Sequence, residues 1–534
     1  MRTTTAPELV LLHSPLRSEA AKIEIVRSGS PVDISKRLHK SGGSINFSAD
    51  NRVATASVTF EDDHATYGQD SDLNPLVDAS SYNSPTPLVW PNNELKIYLG
   101  VGDSGSDATA NVKLAFHGVI GSNVGLSMSA GVRTVSIECT DQAKRLQDHY
   151  IVGEYVYGED DGTAAVAVIQ SILNDCFSWE TTSSDYKKLH IDSSAYTNCS
   201  LMVYPRPIGN CTCWEAINKV IGCAAADDMG FELRYAYLPD GDTSTKDNEG
   251  NVITTSGEGF HLCLLQIDQS DTSADDSVDV DADELHEESI AIRDDTIRNS
   301  VYGRYIDRDT KEEMEIHRDS PASIAIYNRR DMVIGQVDVP MIDTYEEMWD
   351  LLGVALNALD DVPGTARFTT QLMYHVDPND ILGTTNAQMY TGSDKVGITE
   401  IAHSFAPGGG PSTRQGFTTT FTGVRDKRTG SRIGFLTATG DVDPGITLPP
   451  SVVDGEAHSF WGTDEKGNSN TKTTFTVPNP QNIQFSAVDW RYSVEGEGHW
   501  REETITGLEL TVWGLPPGKP VSFLHRFVLK GGER

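Results

Sequence analysis

Fourteen histidines, seven cysteines and 78 acidic residues give this 534-residue chain ample material for acid–base, thiol or metal chemistry, if spacing brings the right ones together. The spacing does not. His286-Glu-Glu-Ser begins like a zinc-protease helix, but no second histidine follows four residues on to complete the metal pair. Cys211-Thr-Cys213 is the only close cysteine pair; with an odd total and no CxxC, neither a disulfide framework nor a zinc site is indicated, and the thiols read as buried and reduced. Asp279-Val-Asp281-Ala-Asp283 sets aspartates at the alternation of a calcium loop, yet lacks the glycine and the distal glutamate that would complete it. The whole stretch from Asp271 to Glu288 therefore reads as an acidic solvated loop.

His117 lies between Phe116 and Gly118 and, by strand alternation, reads as an exposed surface residue. There is no G-x-S-x-G, no P-loop and no strand-linked G-x-G-x-x-G. Close carboxylate pairs are so common among 78 acids that none singles out a glycosidase. The expected catalytic, cofactor-binding and metal residues are none, no cofactor is implied, and the chain is not expected to be an enzyme.

The elements that any such residues would sit on are mostly strands. From residue 20 to 140, Ile23 and Ile25, Val32 and Ile34, Ile45 and Phe47, Ala54 to Phe60, Leu95 to Leu99, Val112 to Ile120 and Val135 to Cys139 alternate apolar with polar, a barrel or sandwich pattern. The polar segment 62–91 reads as an exposed excursion. The period then changes: helices are expected at 140–146, capped by Thr140, at 163–173, and from Thr212 to Ile221, followed by a strand at 231–237.

Strands are expected again at 299–305 and 323–327. The clearest helix of the chain follows, opened by the capping-box spacing Thr344-Tyr-Glu-Glu347 and carrying Met348, Leu351, Leu352, Ala355, Leu356 and Leu359 on one face up to Pro363-Gly364. Even positions from Ala366 to Val376 predict a half-buried strand, Asp377-Pro-Asn-Asp380 a turn, and 396–405 with 416–424 a hairpin across Pro407 to Pro411. Pro444, Pro449 and Pro450 lead into a separate all-β unit with strands at 473–477, 488–494, 505–512 and 521–529.

Mass and composition agree with several β-rich domains: 58.2 kDa, 38% hydrophobic residues, 47 glycines and 24 prolines. The net charge of -36, with 42 basic against 78 acidic residues, excludes specific nucleic-acid binding, which needs cations to displace phosphate counterions. Acid spread over every domain also fits a halophilic source, where salt screens self-repulsion. No apolar run reaches the ~18 residues of a membrane span, and Leu9 to Leu12 is too short for a signal-peptide core.

Taken in order, Leu114-Ala-Phe116-His-Gly118-Val-Ile120, then Val135-Ser-Ile137-Glu-Cys139-Thr-Asp141 with a helix, then the apolar helix before Met229-Gly-Phe231-Glu-Leu233, then Asn299-Ser-Val301 and Ser323-Ile-Ala-Ile326-Tyr-Asn328, form a series that resembles the tail hub, or baseplate hub, family of tailed viruses, whose relatives include type VI secretion spikes. The resemblance covers residues 20 to 424. It implies a mainly β fold with four parts: a first tube-like β-barrel (1–150), an α+β insert with the acidic loop (151–290), a second tube-like β-barrel (291–430) and a C-terminal β-sandwich (440–534). The last resembles a fibronectin type III module, with Trp490-Arg-Tyr492 as central strand and Leu515-Pro-Pro-Gly518 before the last corner, although Val521 stands where the corner tyrosine is usual.

The family further implies a homotrimer adapting the sixfold tail tube to a threefold tip and forming the channel for genome delivery. Its partners would be the tail tube and distal tail proteins, the tape measure protein and tip or fibre proteins, in a virion tail assembled in the host cytoplasm. DNA would pass through the channel without specific binding, along a lumen expected to be acidic. A surface adhesin or carbohydrate-binding β-module protein is the alternative, and a tail-associated hydrolase, opposed by the missing motifs, a third.

Overall fold

The computed structural model describes residues 6–14, 17–27, 29–49, 52–62, 73, 88–103, 112–129, 132–177, 188–226, 229–269, 273–275, 280, 284–292, 297–335, 339–360, 364–385, 394–406 and 416–425, and strand backbone at 457–463, 469–476, 485–494, 501–505, 509–513 and 521–529. Two compact units result, Met1–Gly440 and Asp441–Arg534.

The alternation read along the first 140 residues becomes seven strands: β1 (Arg17–Arg27), β2 (Ser30–Asp33), β3 (Leu38–Ser48), β4 (Thr55–Glu61), β5 (Glu94–Asp103), β6 (Val112–Ser129) and β7 (Val132–Asp141). Ile23, Ile25, Ile45, Val58, Phe60, Ile97, Phe116 and Ile137 are at most 1% exposed, so the apolar set of each strand faces a common core. Register follows from that burial, because a slip of one residue would turn the whole set to water. Gly118 is needed at the β6–β7 crossing: a β-carbon there would lie 2.3 Å from the Thr140 carbonyl oxygen.

The strand Asp394–Phe405 pairs antiparallel with β3, Ile401 opposite Phe47 and Phe405 opposite Gly43. Through it the late strands join the early ones in a twelve-stranded sheet, ordered Leu285–Ile292, Gly364–Gln371, Phe417–Arg425, Asp394–Phe405, β3, β4, β7, β6, β5, β1, β2, with Ile381–Thr384 on the side of Asp394–Phe405. Late strands at 364–371, 394–405 and 417–425 thus share one sheet with the early ones, while Ser300–Ile306 lies in a separate three-stranded sheet with Glu313–Asp319 and Asp331–Ile334. Phe368 and Phe421 pack across neighbouring strands at 5.2 Å between ring centres in its core.

The α+β insert carries a five-stranded sheet in which Leu189–Asp192 runs parallel to Gly259–Ile267 while the other pairs are antiparallel. Thr212 caps the helix Cys213–Ile221 with a complete capping box, its hydroxyl taking the Glu215 amide and Glu215 returning to the Thr212 amide. The helix Tyr345–Leu359 starts at Thr344 as its spacing predicts; the hydroxyl accepts the Glu347 amide, but Glu347 reaches back to the Asp343 amide at 3.3 Å. Its buried face packs on the strands Ser300–Ile306 and Glu313–Asp319 and on the insert.

Five local expectations are corrected. Residues 321–327 form a helix, not a strand: Pro321 occupies the first turn, where its missing N–H costs nothing, and Asp331–Ile334 takes the ladder position beside Ser300–Ile306. The helix expected at 140–146 is Ala143–Asp148; Thr140 stays in β7 opposite Thr55, the cap position is Gln142 with no side-chain cap, and the Asp141 carboxylate accepts the Ala143 amide at 2.9 Å. The strand expected through Val376 ends at Gln371, and 372–376 is a buried loop that includes His375. The end of the acidic stretch, Leu285 to Glu288, is edge strand rather than loop, held by pairing with Gly364–Gln371. His117 is not a freely exposed residue, being only 18% exposed and held between Glu94 and Gln142.

The C-terminal unit has two three-stranded antiparallel sheets, Ala457–Thr463/Ser469–Thr476/Glu509–Trp513 and Arg501–Ile505/Phe485–Val494/Val521–Leu529. The strand with Trp490 and Tyr492 is central in its sheet. The tip of the 407–411 loop, Pro444, Pro449 and Pro450, and nearly all of the 62–91 excursion lie outside the described residues.

Candidate functional surface

The outer face of the twelve-stranded sheet is built by the same alternation that builds the core. Where apolar residues point inward, their neighbours point out, and on the central strands those neighbours are mostly hydroxyls, whereas Arg17–Arg27 and Glu94–Asp103 carry Lys22, Glu24, Glu94 and Lys96 outward. One row crosses the sheet as Thr369, Thr420, Ala402, Asn46, Thr55 and Thr140, each opposite the next. A second runs Gln371, Thr418, Ser404, Ser44, Ser57 and Glu138. Thr59 opposite Ser136 and Thr134 opposite Ser127 extend the surface.

The hydroxyls bond to one another across strands: Ser44 Oγ to Ser57 Oγ at 3.0 Å, Thr369 to Thr420 at 3.0 Å, Thr59 to Ser136 at 3.1 Å and Ser127 to Thr134 at 2.7 Å. Such pairs steady a sheet by a few tenths of a kcal/mol each, up to ~1 kcal/mol. Charge on these rows is sparse. Glu400, Glu138 and Glu61 carry it with Arg367, in a chain whose net charge is -36.

Charge is instead taken inside where the insert meets the sheet. Glu232, on the insert strand Met229–Leu238, is buried with Asn379 and Asp380 from the turn after Gly364–Gln371, and Arg234 on the same strand is mostly covered, its side chain 14% exposed. Arg234 Nε lies 3.6 Å from Glu232 Oε1, and the Asn379 amide nitrogen donates to Glu232 Oε2. Asp380 Oδ2 accepts the Asp377 amide at 2.7 Å, and Asn379 and Asp380 bond through their backbones to Ile398. Burial works against the Arg234 charge, but the Glu232, Asp377 and Asp380 carboxylates around it raise its pKa. Burial pushes Asp380 up. This cluster clamps the 377–380 turn to the insert; nothing in it has the geometry of a nucleophile and base.

The residues singled out in the sequence do not converge on a site. His286 lies on the exposed edge strand. Cys211 and Cys213 are buried, and both thiols are pushed up, Cys211 chiefly by burial and Cys213 chiefly by its contact with Cys176. Burial raises Cys223 and Cys263 to about 12 as well, so they stay protonated and unreactive. His117 holds Glu94 well down, at about 2, by hydrogen bonding, and Arg145 adds a 2.8 Å ion pair. Asp279, Asp281 and Asp283 lie outside the described residues, and no group of three potential metal ligands occurs among the described ones. No helix there is long and apolar enough to cross a membrane. The hydroxyl rows were visible in the sequence as Ser and Thr at every second position; the buried cluster left no signal there.

No protein-family model matches the chain, and no curated protein matches it. Solved structures do. The chain is similar to the tail protein from Neisseria meningitidis MC58, with TM-score 0.46 and 10% identity over 78% of this chain and 99% of that one. It is similar to the 43 kDa tail protein of prophage MuSo2 from Shewanella oneidensis, with TM-score 0.44 and 10% identity over 77% and 99% of the two chains. It is also similar to a chain of the lidless PdpA–VgrG complex, with TM-score 0.42 and 10% identity over 97% of this chain and 86% of that one.

Proposed function

We propose that this protein is a structural component of a viral tail, a hub of which three copies assemble around an axial channel, with the hydroxyl face of the twelve-stranded sheet turned to the lumen. The observation that carries the reading is the neutrality of that face. A polyanion passing along it meets few fixed cations to bind phosphate and few carboxylates to oppose it at short range. Hydroxyls already bonded in pairs offer few unsatisfied donors to a moving backbone. The order of elements along the chain, which resembles that of tail hubs, supports the same assignment, and the acidic remainder of the surface keeps the assembly soluble.

In this reading the trimer matches a sixfold tube to a threefold tip, contacts tube, tape measure and tip proteins, and resides at the tail tip. The C-terminal unit serves as a fibronectin type III-like module. No catalytic step is assigned to the chain.

Light scattering in molar salt and again at low salt tests the assembly. A mass near three times 58.2 kDa is expected. A ring imaged from the same sample should show the strands with Ser57 and Ser404 around its channel. A stable monomer at every concentration, combined with glycan binding, would move the adhesin reading to the front; a ring with these strands on its outer wall would refute the lumen assignment alone.

A further inference from the structure

The strand Tyr150–Tyr157 and the strand Arg206–Thr212 form a two-stranded antiparallel ribbon on the insert, paired with no other strand among the described residues. Its inner face, with Ile151, Tyr157, Ile208 and Cys211, is buried against helices of the insert. Its other side shows Val152, Val156 and Tyr150, exposed by 77%, 66% and 52%, and Tyr155, on the alternate side, is exposed by 53%. The register shifts between Gly209 and Cys211, close to Gly153 at φ 87.

The two edges are unequal. Arg206–Thr212 carries Pro207, which has no N–H to offer and blunts an edge. Tyr150–Tyr157 has no proline, so its outer edge keeps a full set of donors and acceptors beside an apolar face. Acid surrounds it: Glu154 lies in the strand, and Glu159, Asp160 and Asp161 follow at its end, all exposed. Arg206, on the partner strand of the ribbon, is engaged with Asp343 at 3.4 Å.

We propose that the Tyr150–Tyr157 edge is a docking site for an extended segment of a partner protein in which apolar residues alternate with lysine or arginine, added as a third strand. Backbone pairing supplies the register, Val152 and Val156 the apolar contact, and the acidic residues the choice of a basic partner. Two copies of this edge meeting each other would bring Glu154 and its acidic neighbours into repulsion, which disfavours self-pairing.

The test uses the full-length protein with a fluorescent (Val-Lys)4 peptide, its (Val-Glu)4 counterpart, and a (Val-Lys)4 peptide N-methylated at alternate residues. The basic peptide is expected to bind about tenfold or more tighter than the acidic one at 0.1 M salt, and to slow amide exchange at 150–157. The N-methylated peptide, unable to pair, should not bind. Val152→Ser with Val156→Ser, both on exposed positions, should weaken binding about tenfold while circular dichroism stays unchanged. Equal affinity for the two charge forms, protection elsewhere, or no binding by a folded protein would overturn the proposal. So would protection of 150–157 that rises with protein concentration without peptide, since that marks contact between copies.

Discussion

In the central strands of the twelve-stranded sheet the outward rows leave charge at few positions, whereas the insert and its contact with the 377–380 turn bury Glu232, His190 and His261 and cover most of Arg234. Both regions draw on the same acidic chain. The sheet spends its polar residues on hydroxyls that bond laterally, so each is individually dispensable. The insert encloses ionisable groups whose partners lie on other elements, so each depends on the rest. A long surface for sliding can tolerate local change; a joint between two subdomains cannot.

The sharpest way to break this contrast is to remove the enclosed cation. Arg234→Met leaves Glu232, Asp377 and Asp380 without their common counter-charge and should cost about 3–5 kcal/mol, read as a lower urea midpoint. A loss below about 1 kcal/mol would mean that the carboxylates there are already neutral.

Next comes acid. His190 and His261 lie with ring centres 4.7 Å apart, and His190 Nδ1 contacts Thr245 Oγ1 at 3.1 Å. Burial, with His261 and Lys188 adding repulsion, lowers His190 to about 3. A folded pKa below the unfolded value means the contribution is fully present above ~6.5 and is lost as pH falls toward about 3. Stability should therefore drop by on the order of 3 kcal/mol across that window, and His190→Gln should flatten the profile. An unchanged profile in the variant would assign the acid loss to other groups.

Within the sheet, the expected effects are smaller and depend on backbone rather than charge. Gly118→Ala forces a β-carbon against the Thr140 carbonyl and should cost about 2 kcal/mol, with faster amide exchange along the β6–β7 ladder. Thr420→Val, on the hydroxyl face, should change the thermal midpoint by less than the equivalent of about 0.5 kcal/mol, since its partner Thr369 can turn to water. If that change proved as costly as the glycine change, the hydroxyl rows would be structural rather than a surface kept for contact.

The sequence was most legible where one face of an element meets water. All seven early strands, the helix after Thr344, the helix after Thr212 and the strands around residues 404 and 421 follow directly from periodicity, because burial of one face repeats along the chain every two or 3.6 residues. It misled where the environment was uniform. Ile324 and Ile326 look like strand residues, yet Ile326 is 70% exposed on a helix set by Pro321. Residues 372–376 continue an alternating pattern into a loop buried on all sides, where alternation has no meaning.

What the sequence determined by itself was the inventory and the local elements: an acidic, β-rich chain without catalytic spacing, in which strands such as Thr55–Glu61 and Phe417–Arg425 carry a hydroxylic side. Only the tertiary structure decided that Asp394–Phe405 pairs with β3 and fuses early and late strands into one sheet, that Arg234 meets carboxylates from a turn more than a hundred residues away, and that one edge of the 150–157 ribbon stays open. The physical reason is range. Periodicity and capping act over one or two turns of chain, whereas strand pairing between distant segments and enclosure of a charge depend on which surfaces the whole chain brings together, and no local pattern encodes that choice.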